Sequence, residues 1–89
     1  MLKQIVALRR ELHRFPELSG HEQQTAKKIK EWIQTANPDQ IIENAGGYGL
    51  MAIFKGKSAG KNILLRADMD ALPIHEINTF EHCSSKPGI

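Results

Sequence analysis

Ile63-Leu64-Leu65-Arg66-Ala67-Asp68-Met69-Asp70-Ala71-Leu72-Pro73 is an apolar run that ends abruptly in two carboxylates at i and i+2. Its first half suits a strand buried on both faces. Strand side chains alternate between faces, so an extended backbone through Asp70 would send Asp68 and Asp70 to the same side. Pro73 cannot donate to a ladder and stops the strand just beyond them. Open α/β sheets carry their chemistry in the crevice beyond the carboxyl ends of their strands. The stretch therefore marks Asp68 and Asp70 as candidate site residues. Taken alone, it reads more plainly as a strand finished by two solvated aspartates.

Upstream of this run, Gln40 to Glu43 and Leu50 to Phe54 read as short strands joined by a turn at Asn44-Ala45-Gly46-Gly47, a spacing that predicts an antiparallel hairpin. The glycine pair serves a turn with positive φ. It does not cradle a phosphate, because neither a Lys-Ser/Thr pair nor a helix start follows it. Lys55 to Lys61, with Gly56 and Gly60, connects the hairpin to the apolar run. Downstream of Pro73, the residues Glu76, Asn78, His82, Ser84, Ser85, Pro87 and Gly88 show little periodicity and read as a loop.

Two helices are predicted ahead of the hairpin. Leu2, Ile5, Leu8 and Leu12 recur at steps of three and four, which paints one apolar stripe, and Pro16 stops the helix near Arg14. Ser19 and Glu22 have the spacing of a capping box, which would start the second helix near Gly20. Ala26, Ile29, Trp32 or Ile33, and Ala36 form its buried stripe, Lys27, Lys28, Lys30 and Glu31 lie mostly on the wet side, and Asn37-Pro38-Asp39 ends it.

Eighty-nine residues make one small domain. A chain this short buries only roughly 60–65% of the surface its unfolded form exposes, so its core is modest. A charged fraction of 25% with 40% apolar residues is ordinary for a globular chain and excludes a disordered or fibrous class. The net charge of +2 is too small to argue for nucleic acid. The basic residues of both helices are interleaved with acids and have few aromatics beside them, as on a solvated face. No apolar run approaches the roughly 20 residues of a membrane helix, and Arg9, Arg10 and Glu11 interrupt the N-terminal run too early for a secretory signal. Cys83 has no partner for an intramolecular disulfide, which suits a reducing compartment; the bacterial cytosol is the default expectation.

Leu12-His13-Arg14-Phe15-Pro16-Glu17-Leu18-Ser19-Gly20-His21-Glu22 and Leu65-Arg66-Ala67-Asp68-Met69-Asp70-Ala71-Leu72-Pro73-Ile74 together resemble the two N-terminal signatures of the M20-type metal-dependent amidohydrolases. The branch they resemble holds N-acyl-amino-acid, hippurate, indole-acetyl-amino-acid and N-acetyl-diaminopimelate hydrolases. The likeness runs from about Val6 to Ile89. It implies an α/β fold in which two N-terminal helices pack on a small three-stranded mixed sheet. This would be the first part of a zinc-peptidase-like (phosphorylase/hydrolase-like) catalytic domain, with residues 1–89 as one partial domain.

The resemblance also implies a mechanism. Family members hold a pair of divalent metals, zinc or manganese, which lower the pKa of a bound water and polarise the amide carbonyl while a glutamate acts as general base. By position Asp70 is the aspartate that orients a ligand histidine and raises its basicity. A ligand histidine stands in related branches where this chain has Asp68, so Asp68 is at most a supporting residue. His13, Pro16 and Glu17 carry the family look, and a turn and a helix boundary account for them.

In the family, Ser-Lys-x-Pro-Gly leads into a His-Ala-Cys-Gly-His-Asp motif that supplies metal ligands; here Ser85-Lys86-Pro87-Gly88-Ile89 stands about where that motif would begin. The expected metal ligands are therefore absent from these residues. Cys83 lies upstream of that segment and reads as a free thiol, and His75 and His82 fall short of the three or four ligands of a defined site.

The expectation is an N-terminal piece of an amidohydrolase of N-acyl amino acids, whether a truncated product, a pseudogene remnant or a shortened form, and inactive alone. The competing expectation is an interaction or structural module that kept the fold's first half. A strand with uncovered faces and an open edge favours self-association. Neither a nucleic acid nor a membrane partner is expected.

Overall fold

The structure is a computed structural model that describes residues 2–89. Helix α1 spans Leu2–Arg14 and helix α2 spans Gln23–Gln34, followed by strands β1, Gln40–Ala45, and β2, Gly49–Ile53. Pro16 is buried just past α1 and ends it as its missing N–H requires. The left-handed Asn37, at φ 54°, turns the chain out of the end of α2 toward β1.

β1 and β2 pair antiparallel, with Gln40 opposite Ile53, Ile41 opposite Ala52 and Ile42 opposite Met51. The register then shifts, and Ala45 faces Gly49. Two residues of β1, Glu43 and Asn44, thus oppose Leu50 alone. The extra residue forms a bulge, with Asn44 at φ 56°. The turn itself uses Gly46 and Gly47, both at positive φ. Asp39 closes the open end of the hairpin, its N–H donating to the Ile53 carbonyl at 2.8 Å.

Two expectations need correcting. The capping box does not form: Gly20, at φ 79°, leaves the helical region, and α2 begins three residues later behind Glu22, which makes no side-chain cap. The sheet has two strands among the described residues, where three were expected. The 61–70 segment carries no ladder, and Ile63, Leu64 and Leu65 are 86%, 81% and 90% exposed. A strand apolar on both faces holds only when both faces and both edges are covered, and nothing among the described residues covers this one. Downstream, the chain makes a single parallel bridge, Leu18 with Ala71, and the Ala71 N–H donates to the Glu17 carbonyl at 2.7 Å.

The core is thin. Pro16, Thr25 and Ala26 are buried, while Ile29, Trp32 and Ile33 of the α2 stripe are half-buried. α2 packs on β2. Lys30 reaches Glu43 of β1 at 2.9 Å, and Lys28 reaches Glu11 of α1 at 3.1 Å while lying 4.9 Å from the Phe15 ring centroid. Such surface pairs contribute little individually, but they join α2 to both of its neighbours.

Candidate functional site

Asp68 and Asp70 line the same cavity, of about 520 Å³, although no strand places them there. Leu12, Pro16, Ile29 and Met69 supply apolar wall, and His13 and Glu76 bring a second polar group to it. The side chain of Asp68 is 71% exposed and pairs with Arg66 at 3.0 Å. Asp70 is also exposed. The two predicted site residues thus meet at one cavity with solvent-reaching carboxylates.

Glu17 forms the joint behind this cavity. Its Oε1 accepts the Thr25 N–H at 2.5 Å and the Thr25 hydroxyl at 2.6 Å, so a carboxylate from outside the helix caps the first turn of α2. Partial burial works to raise its pKa, but the hydrogen bonds from the Thr25 hydroxyl and N–H and the Gln24 N–H, with the charge of Lys86, prevail and hold it below the ordinary carboxylate value. The same residue's backbone carbonyl receives Ala71, next to Asp70. One residue therefore fixes both the start of α2 and the end of the Asp68–Asp70 segment.

Glu76 is the residue that sequence reasoning left among the loop positions. Its Oε2 accepts from His13 Nε2 and from Asn78 Nδ2, each at 2.8 Å, and its Oε1 accepts the Ser84 N–H at 2.5 Å. The Asn78, Ser84 and His13 hydrogen bonds pull its carboxyl pKa down to about 2. Phe80 and His82 stack at 4.0 Å between centroids, and the His13 ring meets each edge-on at 6.2 Å. Lost hydration and the positive charges of Arg10, Arg9, His13 and Arg14 lower the pKa of His82. A glutamate between two exposed isoleucines, Ile74 and Ile77, was the available signal in the sequence, but its partner lies 63 positions away.

A metal implied by the family resemblance can be tested against these side chains. Among the described residues no three His, Cys, Asp or Glu side chains lie close enough to hold an ion, and Asp68 is engaged with Arg66. The described residues alone do not fit a metal centre.

The chain is 41% identical over 85 residues to an N-acyl-L-amino acid amidohydrolase of Geobacillus stearothermophilus, covering 96% of this chain and 23% of that protein. It is 36% identical over 88 residues to an N-acetyldiaminopimelate deacetylase of Bacillus cytotoxicus, covering 99% of this chain and 23% of the relative. The fold matches the crystal structure of a Bacillus subtilis protein described as a dinuclear metal-binding peptidase from the M20 family. That match has a TM-score of 0.88 and 37% identity, and it covers 97% of this chain and 24% of the other. The chain matches the N-terminal part of the M20-type amidohydrolases. It spans less than a quarter of the length of these relatives, and no family model matches it. Among the described residues no helix is long and apolar enough to cross a membrane.

Proposed function

We propose that these 89 residues form one partial domain, the first part of a metal-dependent amidohydrolase that cleaves the amide bond of N-acyl amino acids in the cytosol. The observation that carries the reading is the match of sequence and fold over nearly the whole chain to M20-type proteins. In this reading Asp70 is the carboxylate that orients a metal-ligand histidine supplied from outside these residues, and Asp68 supports it. Zinc or manganese is the metal such an enzyme would use. In this reading the metal ligands come from outside these 89 residues, and the 89 residues by themselves are inactive.

A chimera tests this. The first part of the Geobacillus amidohydrolase is replaced by this chain, and release of amino acid from acetyl-amino acids is measured with added zinc or manganese. Turnover by the chimera, a loss of roughly 10- to 100-fold on Asp70→Asn, and none by the 89 residues alone are expected. A folded chimera that stays inactive, or turnover by the 89 residues alone, overturns the reading.

A second reading, an interaction module built on the same fold, is favoured by the exposed Ile63, Leu64 and Leu65. An uncovered apolar stretch of extended chain is a template for pairing with another copy, and self-association through it is proposed here under either reading. In that pairing, or in a completed domain, the stretch becomes the third strand of the sheet.

A further inference from the structure

The chain after Pro73 has no regular structure, yet it is held against α1 at several points, and three of its hydrogen bonds meet on one carboxylate. Glu76, whose side chain is 13% exposed, accepts from His13 on α1, from Asn78 within its own loop and from the backbone of Ser84. One residue further, the Ser85 N–H and hydroxyl both donate to the Arg14 carbonyl at 2.8 Å, satisfying one of the orphan acceptors at the C-terminal end of α1. Ser84 and Ile89 then form part of the wall of the Asp68–Asp70 cavity.

We propose that Glu76 is a positioning residue, and that its clasp with His13 docks residues 84–89 on the end of α1 and so sets the wall of the cavity holding Asp68 and Asp70. Two features make it a clasp. Glu76 bonds to both sides of the join, α1 through Oε2 and the returning backbone through Oε1, so its loss breaks the link from His13 to Ser84 and leaves the segment held to α1 by the Ser85 bonds to the Arg14 carbonyl. The stacked Phe80 and His82 each meet the His13 ring edge-on at 6.2 Å, so aromatic contacts hold the same loop to α1 beside the carboxylate. The depressed pKa of Glu76 agrees with a carboxylate kept charged by its partners. The inference concerns where residues 84–89 sit. Only its importance for catalysis rests on the amidohydrolase reading.

Amide hydrogen exchange on the whole 89-residue chain tests it, with Ala26, whose N–H bonds Glu22 in the first turn of α2, as the internal reference. Glu76→Ala is expected to speed exchange at Ser84 and Ser85 by about tenfold or more while Ala26 keeps its rate. His13→Phe keeps a ring against Phe80 but removes the donor, and is expected to speed exchange at Ser85. His13→Gln, which can offer a donor again, is expected to restore part of the protection. Should Glu76→Ala loosen Ala26 as well, the His13 pair decides. Native protection of Ser84 and Ser85 in Glu76→Ala, or of Ser85 in His13→Phe, overturns the proposal. The amidohydrolase reading fails by a different observation, the inactive chimera, which leaves these rates unaffected.

Discussion

At Glu17 one carboxyl oxygen holds both the N–H and the hydroxyl of Thr25, so removing it uncaps α2 and leaves a buried hydroxyl without its partner. Glu17→Ala is expected to destabilise the chain by about 1–2 kcal/mol in urea unfolding, as the loss of a helix cap does. Thr25→Val, which leaves the backbone bond in place, should cost less. Acid should act through the same groups. Glu17 and Glu76 both have carboxyl pKa values lowered from 4.5, Glu76 to about 2, so the unfolded chain takes up their protons first as pH falls. Their contribution is complete above the unfolded value near 4.5 and is lost as pH drops through the lower folded values. The urea midpoint should therefore fall between pH 6 and pH 3, and the Glu17→Gln/Glu76→Gln double variant should show a shallower fall. Asp68 and Asp70 could be singled out from their spacing alone. Glu17 and Glu76 could not be given roles, because those roles are made by contacts from outside their own elements.

The hairpin illustrates what local patterning can specify and what it leaves open. Both strands and the glycine turn are visible in the alternation and the Gly46-Gly47 pair, whereas the bulge at Glu43 and Asn44 is a register choice that only pairing reveals. Gly47, at φ 111°, sits where a Cβ is strained, and Gly47→Ala should weaken the hairpin by about 1 kcal/mol. Gly49 is more exacting. A Cβ there would collide with the Ala45 carbonyl oxygen, so Gly49→Ala must open the pairing. Exchange of the Asp39 N–H, which bonds the Ile53 carbonyl, reports both variants, and Gly49→Ala should show the larger loss. The helices were legible for a related reason: apolar spacing and Pro16 act within a few residues. The capping box of Ser19 and Glu22 was misread because Gly20 takes a left-handed conformation between them. Ile63 to Leu65 failed as a strand because a strand exists only through neighbours far along the chain or beyond it.

For the whole molecule, surface area carries the argument. The chain exposes 7478 Å², whereas a folded monomer of 10.0 kDa exposes about 5,200 Å². Its radius of gyration is 15.1 Å against about 12 Å for a compact domain of this length. The excess exceeds the roughly 1,200–2,000 Å² buried in a specific protein interface, and Ile63, Leu64, Leu65 and Ile77 supply some of its most exposed apolar side chains. Covering such a surface is favourable by roughly 25 cal/mol per Å² of apolar area, a gain that a second copy can provide wherever no other partner does. Light scattering of the purified chain should therefore show a mass that rises with concentration. A lysine on an uncovered strand blocks both its burial and its edge pairing, so Leu64→Lys should return the mass toward that of a monomer with the helical circular dichroism signal unchanged. A native chain that stays monodisperse and monomeric at every concentration would mean that this apolar surface is left bare or folded inward, and self-association through the 63–65 stretch would have to be abandoned.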